Sequence, residues 1–149
     1  MKLRIVKFCP PCSIDRLRDI FEIRRIVFVE EQKVESYDEF DEFELTSTHY
    51  LCLLENMPVA TARKREINGK IKLERFAVLP QYRRKGIALR LLNHILEEIK
   101  NFEGEVYLHA QLHAVPLYEK GGFIKTGPLF YECNIPHFKM VLSSRHHDQ

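Results

Sequence analysis

The apolar positions near the N-terminus change from a period of two to a helical period. Residues 2–8, KLRIVKF, largely alternate between apolar and charged side chains, which predicts a β-strand that Pro10 and Pro11 end. Ser13 then stands where a helix N-cap is expected. An apolar stripe with polar interruptions follows and predicts an amphipathic helix on Ile14, Leu17, Ile20, Phe21, Ile23, Arg24 and Val27.

The middle of the chain predicts three consecutive strands, in the segments STHYLCLLEN, PVATARKREI and KIKLERFAVL. The last two are joined by Asn68-Gly69, a dipeptide that favours the type I′ turn of a two-residue hairpin. We therefore expect the three strands to form an antiparallel meander.

Helix and strand patterns alternate over the second half of the chain. From Gly86 onward, a helical spacing predicts a helix that packs one face on a sheet, with the stripe Ile87, Ala88, Leu91, Leu92, Ile95, Leu96 and Ile99. EVYLHAQ predicts a strand, AVPLYEKGGF a short helix ended by Gly121-Gly122, and FIKTG and CNIPHFKMVL two late strands. The order β-α-loop-β-β-β-α-β-α-β-β is typical of a mixed α/β domain.

Length and charge narrow the function classes. The chain has 149 residues, with 23 Lys and Arg against 21 Asp and Glu and a formal net charge of +2. We expect one domain over residues 1–143 and a disordered polar tail at 144–149. The balanced charge predicts no nucleic-acid partner. No stretch approaches the roughly 18 to 20 apolar residues that span a bilayer, so we expect no membrane partner and a cytoplasmic location.

Four cysteines, Cys9, Cys12, Cys52 and Cys133, are too few for a disulfide scaffold. The CPPC pair of Cys9 and Cys12 could be a redox pair or half of a zinc site. Against both, the chain has no second CxxC and no thioredoxin-like order of elements. We interpret CPPC as a proline-rigidified turn between the first strand and the first helix, and predict no metal site.

Residues 30–44, EEQKVESYDEFDEFE, carry eight carboxylates and one lysine. This composition predicts an acidic loop with a helical turn near its end. Two interpretations stay open: the loop is ordinary solvated surface, or it borders a substrate site and concentrates a cationic amine there.

Residues 81–92, QYRRKGIALRLL, place three cations directly before a predicted helix. The amides of a first helical turn lack intrahelical partners, so together with Arg83, Arg84 and Lys85 they would bind an anion such as a pyrophosphate. Gly86 and the small Ala88 allow a large group to approach the backbone closely. The loop matches neither a Walker loop nor a Rossmann fingerprint, and a solvated basic loop is the alternative.

The segment AV-P-YR-KGIA, between a strand and a helix, resembles the acyl-CoA-binding signature Q/R-x-x-G-x-G/A of the GNAT N-acetyltransferase superfamily. The signature positions are Arg83, Gly86 and Ala88. Arg84 departs from the family pattern, because many members have Gly there. The resemblance extends over nearly the whole chain.

Two further segments strengthen the resemblance. QLHAVPLYEKGGF is similar to a later family segment through Gln111, which replaces the usual Asn, and through Ala114, Tyr118 and Gly122-Phe123. Within the superfamily, the chain resembles the ElaA-like branch. The residues that carry this resemblance are VFVEEQKV, Asp38, Asp41, His49 and IPHFKM.

The resemblance implies a fold and a cosubstrate. The fold would be the α/β GNAT fold, a single mixed, mostly antiparallel sheet flanked by helices, with strands 4 and 5 splayed apart. The cosubstrate would be acetyl-CoA, with its pantetheine arm in the gap between these strands. The implied cofactor contacts are Phe76, Ala77, Val78, Arg83, Arg84, Lys85, Gly86, Ile87, Ala88, Gln111 and Tyr118.

Two residues are candidates for catalysis. The resemblance places Tyr118 beside the leaving thiolate, and hydrogen-bond donation fits that place because a tyrosine has a reference pKa near 10 and a thiol near 8.5. The alternative is a tyrosine that only packs the core. Glu74 shares strand parity with Phe76 and Val78, which predicts that it points into the cleft as a base. A surface ion pair is the alternative for Glu74.

The branch resemblance also implies an acceptor site at Glu31, Asp41, His49 and His137, the first three being alternatives for the base. The two histidines could instead satisfy buried polar groups. We predict an N-acetyltransferase that moves the acetyl group of acetyl-CoA to a primary amine of a small molecule or peptide by direct attack. A non-catalytic acyl-CoA sensor with the same fold is the alternative, and a homodimer is left open.

Overall fold

The computed structural model describes residues 2–10 and 14–143, so the predictions for Cys12, Ser13 and residues 144–149 lie outside the described residues. One sheet has the strand order β1-β2-β3-β4-β5-β7-β6. Its strands are β1 Leu3–Phe8, β2 Thr48–Leu54, β3 Met57–Ile67, β4 Lys70–Val78, β5 Val106–Gln111, β6 Phe123–Glu132 and β7 Ile135–Leu142. The helices are α1 Ile14–Arg24, a π-helix Arg25–Glu31, α2 Ser36–Glu39, α3 Ile87–Glu98 and α4 Val115–Lys120. Short 3-10 turns occupy Glu44–Thr46, Pro80–Tyr82 and Leu112–Ala114.

The predicted meander of β2, β3 and β4 is confirmed. Each strand pairs antiparallel with the next, and Ile67 lies opposite Lys70 across the turn. Asn68 and Gly69 have φ angles of 53° and 79°, the left-handed pair that a type I′ hairpin requires.

Strands β4 and β5 are the parallel neighbours in this sheet, and they pair over only three positions. The register joins Ile71, Lys72 and Leu73 to residues 106–108 and stops there. Beyond Leu73 the two strands separate, as the fold prediction required. One edge of β4 therefore faces a gap instead of a partner strand.

A β-bulge in β4 overturns the strand-parity argument for Glu74, although Glu74 does line the cavity described below. Arg63 pairs with Glu74 but Thr61 pairs with Ala77, so β4 carries one extra residue. Arg75 adopts a φ of 60° within it. The extra residue inverts the alternation of faces, and the expectation that Glu74 shares a face with Phe76 is wrong. A single residue inserted into a period-two pattern is enough to cause this error.

Helices cover both faces of the sheet. On one face α3 buries the predicted stripe, including Ile87, Leu91, Leu92 and Ile95, against sheet residues that also contact α4. On the other face α1 and the π-helix bury Ile20, Ile23, Val27 and Phe28 against β2 and β4. Phe76 belongs to the α3 face and Ala77 to the α1 face.

The first helical pattern does not end as an α-helix at Val27. From Arg25 the chain winds as a π-helix, in which the Gln32 N–H donates to the Val27 carbonyl oxygen at 3.2 Å. The π-helix continues the buried apolar face of α1 through Val27 and Phe28 and ends at Glu31. π-turns of this kind occur often at functional sites.

The acidic segment 30–44 is not a plain loop, because it contains α2 in its middle and then a 3-10 turn. Five of its eight carboxylates bind arginines: Glu30, Glu31, Glu39, Asp41 and Glu44. The segment is therefore mainly a set of counter-ions, and neither of the two open interpretations describes it fully.

Two buried arginines organise that segment. Arg24 is fully buried and binds Glu39 at 2.7 Å and Glu44 at 2.8 Å. Arg63 is 1% exposed and its guanidinium reaches Asp41 and Glu74. Charges buried to this extent must be paired, so the network fixes α2 and the 3-10 turn against the sheet.

Within the described ranges, no helix combines the length and apolar character needed to cross a membrane. Cys9 is exposed, with its Sγ 3.6 Å from Thr48 Oγ1.

The buried network predicts that acid destabilises the fold in a defined window. Burial tends to raise the pKa of Glu74, but the hydrogen bond from Arg65 and the charges of Arg63 and Lys72 outweigh it and lower the pKa from 4.5 to about 2. Since the folded-state pKa lies below the unfolded one, the stabilisation is complete above about pH 4.5 and is lost as pH falls toward about 2. Urea unfolding at a series of pH values measures this loss.

The variant Glu74→Gln tests the assignment. It should lower the free energy of unfolding at neutral pH by roughly 2 to 4 kcal/mol, because it leaves buried Arg63 short of a counter-charge. Its further loss below pH 4.5 should be smaller than that of the wild type. Glu22→Gln, which removes an exposed partner of Arg25, should change stability by about 1 kcal/mol or less. Equal acid sensitivity of Glu74→Gln and wild type would contradict the prediction.

Candidate functional site

A cavity of about 1060 Å³ opens where β4 and β5 separate. This is the upper end of the range, roughly 300 to 1,000 Å³, that small-molecule sites occupy. Its lining comes from both faces of the sheet. We call the part lined by α3 and α4 the α3 side, and the part lined by the π-helix, α2 and the β6–β7 turn the α1 side.

The basic loop enters α3 through two left-handed residues, Arg84 with φ 64° and Gly86 with φ 77°. The helix begins at Ile87 without a side-chain cap, and its first backbone bond runs from the Arg90 N–H to the Gly86 oxygen at 3.1 Å. The three amides between these two residues therefore have no acceptor inside the helix. A Cβ added at Gly86 would meet no atom within 4 Å, so open space lies beside them.

These features suit the loop to binding an anion. Uncapped helical amides carry partial positive charge, and Arg83 and Arg84 add full charges beside them. Ile87 and Ala88 also line the cavity, whereas Lys85 is exposed and lies outside its lining. Of the predicted loop contacts, Lys85 is thus the one that the structure does not bring to the cavity.

Arg83 is already engaged by protein groups. Its two terminal nitrogens donate to the Glu31 carboxylate at 2.8 and 2.7 Å, and its Nε donates to the Val78 carbonyl oxygen at 2.9 Å. This bidentate contact from Arg83 lowers the pKa of Glu31. Glu31, predicted on the acceptor side, is therefore a counter-ion that joins the end of the π-helix to the basic loop.

The edge of β4 presents backbone groups to the gap. The Leu79 N–H donates to the Val59 oxygen at 2.9 Å, which fixes the phase of the ladder with β3. In an antiparallel ladder alternate residues turn their amides to alternate neighbours, so Phe76 and Val78 turn theirs to the gap. Ala77 turns its amide to β3 and buries its side chain on the α1 face.

Tyr118 lies on the α3 side of the cavity. Its ring packs edge-on against Phe76, with centroids 5.6 Å apart, and against Phe123 at 6.2 Å. Burial alone raises the pKa of Tyr118. The phenol is therefore a neutral hydrogen-bond donor at neutral pH, held in place by its aromatic neighbours.

Gln111, predicted as a cofactor contact, and His137, predicted in the acceptor site, both line the cavity on its α1 side. Gln111, the last residue of β5, donates from Nε2 to Gln32 Oε1 at 2.8 Å, which ties β5 to the chain after the π-helix. His137 lines the cavity and its Nδ1 donates to the Ile135 oxygen at 2.7 Å.

Asp41 and His49 are outside the cavity lining. Asp41 accepts hydrogen bonds from both terminal nitrogens of Arg63, at 2.8 and 2.9 Å. His49 is fully buried, bonds the Glu44 carbonyl oxygen through Nε2 at 2.8 Å and stacks on Phe8. Their expected places in the acceptor site are wrong, because both belong to the buried layer around the acidic segment.

His109 and Glu132 are among the cavity residues that the sequence interpretation missed. The His109 Nδ1 lies 2.9 Å from Glu132 Oε2. Strand alternation could have placed His109, since Leu108 and Ala110 are buried in the α3-face core and His109 between them must face the other way. Glu132 could not be found in this way, because the predicted strand ended at Gly127, where a bulge lets β6 continue.

Known proteins share this architecture and sequence. A family model for an acetyltransferase (GNAT) domain matches residues 27–144. The chain is 40% identical to the Bacillus subtilis protein YyaT over 130 residues, which cover 84% of this chain and 87% of that protein. It is 35% identical to YjcF, an uncharacterised N-acetyltransferase of the same organism, over 85% of this chain and 92% of that one.

Solved structures show the same fold. Escherichia coli ElaA superimposes with a TM-score of 0.84 at 26% identity, covering 94% of this chain and 99% of that chain. The strand order, the parallel β4–β5 pair and its separation match the predicted fold. The chain is therefore an acyltransferase that belongs to the GNAT superfamily, in its ElaA-like branch.

Proposed function

We propose that this acyltransferase transfers the acetyl group of acetyl-CoA to a primary amine of a small molecule or peptide by direct attack. The observation that carries the proposal is the gap beyond Leu73, where the free edge of β4 leads to the uncapped start of α3. A long ligand with an amide-bearing arm and a diphosphate fits both parts at once.

The cosubstrate would bind from the α3 side. Its diphosphate would accept hydrogen bonds from the amides that follow Gly86, with Arg84 beside them. Its pantetheine arm would run back along β4 and pair with the backbone of Phe76 and Val78. Running from the loop toward the vertex at Leu73, the arm would place the thioester near Phe76 and Tyr118, which are in contact.

Bond making in this site involves two protein groups. The amine nitrogen attacks the thioester carbonyl carbon, and the resulting oxyanion would accept a hydrogen bond from a backbone N–H at the open edge of β4. The carbon–sulfur bond then breaks. The Tyr118 hydroxyl would donate a hydrogen bond to the leaving sulfur while keeping its own proton, because burial raises its pKa.

The amine must lose a proton before it attacks. An alkylammonium of pKa near 10 is only about one part in a thousand neutral at pH 7. Glu74 is a poor acceptor for that proton, because its pKa is lowered to about 2 and its carboxylate is held by Arg63, Arg65 and Lys72. The base has to be sought elsewhere on the α1 side.

Calorimetric titration with acetyl-CoA, with free CoA and ATP as controls, tests the cosubstrate. Micromolar binding of both CoA ligands, and weaker binding of ATP, is expected. A panel of primary amines, assayed by free-thiol release and by mass spectrometry of the acetylated product, then tests transfer. Binding without transfer to any amine would contradict the proposal and favour a sensor, and no binding would remove the cosubstrate.

The first variant test concerns the diphosphate site. Gly86→Glu should weaken acetyl-CoA binding at least about ten-fold in calorimetry, because a carboxylate would stand beside the amides that face the phosphates. Gly69→Glu is the matched control, since Gly69 has a similar φ of 79° and equally open surroundings, but lies in the β3–β4 hairpin. Equal affinities of the two variants would contradict the placement.

The second variant test concerns the leaving group. Tyr118→Phe keeps both aromatic contacts and removes the hydroxyl, so kcat should fall about ten-fold or more while the Kd for acetyl-CoA changes less than about two-fold. Tyr107→Phe removes a hydroxyl from β5 outside the cavity lining and should leave kcat unchanged. Full turnover by Tyr118→Phe would show that this tyrosine only packs the core.

A further inference from the structure

His109 occupies the vertex of the gap. The last parallel pair joins Leu73 to Leu108, so His109 is the first residue of β5 that β4 no longer covers. Leu108 and Ala110 point into the α3-face core, and His109 therefore lies on the α1 side of the cavity. Its side chain is 25% exposed, which leaves it open to a ligand.

Glu132 fixes the proton arrangement of this imidazole. The hydrogen bond to His109 comes first among the influences that lower the pKa of Glu132, so the carboxyl group is ionised at neutral pH. An ionised carboxylate only accepts, and the His109 Nδ1 at 2.9 Å must therefore carry the hydrogen. The neutral ring then has its lone pair on Nε2.

The surroundings hold the pair in place. Phe130 packs edge-on against the His109 ring at 5.1 Å and stacks on His137 at 5.8 Å. His137 donates its own Nδ1–H to the Ile135 oxygen, and its Nε2 is 3.8 Å from Glu132 Oε1, beyond hydrogen-bond distance. Of the two histidines, Glu132 is therefore hydrogen-bonded only to His109.

We propose that His109 is the general base that accepts the proton of the acceptor amine, and that Glu132 is the positioning residue that sets its tautomer. The proposal rests on the proposed function, since it assigns a step of that amine transfer. The thioester end of the cosubstrate would reach the vertex from the α3 side, and the amine would meet it from the α1 side, where His109 lies.

The protons balance along this path. The ammonium gives one proton to the His109 Nε2, which passes it to solvent, and the neutral amine forms the nitrogen–carbon bond. The tetrahedral adduct expels the thiolate as the carbon–sulfur bond breaks. The second proton on nitrogen passes through water to the sulfur, so that one amide, one thiol and one free proton are the products.

Four other carboxylates and imidazoles near the cavity are held by protein groups. Glu31 is held by both terminal nitrogens of Arg83. Asp41 is held by Arg63, and His49 is buried behind the acidic segment. Glu39 is also buried, in its bond to Arg24.

Kinetics of the 149-residue protein, on the best amine of the panel, give the first test. His109→Gln should lower kcat about 100-fold, the usual scale of a general base, with the Kd for acetyl-CoA within two-fold of wild type as evidence of folding. Glu132→Gln should lower kcat about ten-fold with little change in KM. His94→Gln, an exposed α3 histidine outside the cavity lining, should retain wild-type kcat.

Nitrogen-15 NMR of the imidazoles gives a test that needs no turnover. In its neutral form the wild-type His109 should show the Nδ1–H tautomer, and Glu132→Gln should shift it toward the Nε2–H form. His94 serves as the reference ring.

The outcomes separate the two proposals. Wild-type turnover with His109→Gln within about three-fold of it would overturn the base and leave the acetyl transfer intact. A wild-type His109 in the Nε2–H form would overturn the arrangement independently of any acceptor. Acetyl-CoA binding without transfer to any amine would overturn the proposed function itself, and with it the step that His109 performs.

Discussion

The site depends on one constraint, the loss of pairing between β4 and β5 after three residues. Backbone amides and carbonyl groups that leave a ladder need other partners, because an unpaired buried backbone group carries a large free-energy penalty. Along the open edge of β4 the Val78 carbonyl group finds Arg83. The amides of Phe76 and Val78 face the cavity, where a ligand or water must satisfy them. The open edge of β4 therefore offers backbone groups of the kind that an extended, amide-bearing ligand would pair with.

Because β4 and β5 share no ladder beyond Leu73, contacts outside that ladder must keep the two strands apart. The bulge at Arg75 turns β4 at the point where its partner is lost. Arg63 on β3 and Glu74 on β4 form a buried ion pair next to this bulge. Breaking a buried ion pair leaves an uncompensated charge, so the local backbone has little freedom to close the gap by relaxing. The same cluster extends through Asp41 to the acidic segment. The ion pairs that restrain β4 therefore also hold α2 in position.

Patterns confined to neighbouring residues were readable from the sequence, and those set by pairing across the sheet were not. Asn68-Gly69 predicted its hairpin because a two-residue turn needs both left-handed residues in place, whatever the rest of the chain does. The stripe on α3 predicted its buried face for a similar reason. Glu74 was assigned to the wrong face of β4 because nothing in KLERFAV marks the extra residue that β4 carries opposite β3. The acidic run was misinterpreted because its counter-ions, Arg24 and Arg63, lie far away along the chain. Glu132 was missed because β6 continues through the bulge at Gly127.

The contact between Arg83 and Glu31 connects the two sides of the cavity. A guanidinium fork can satisfy one carboxylate or one phosphate in bidentate fashion, but not both with the same pair of nitrogens. A diphosphate that draws on Arg83 would therefore compete with Glu31, the residue that ends the π-helix on the α1 side. Releasing Glu31 would leave a carboxylate on that side without its counter-ion, close to where a cationic amine would approach. Five carboxylates of the acidic segment are neutralised by arginines. In that case Glu31 alone would lose its arginine, and only when a diphosphate occupied the loop.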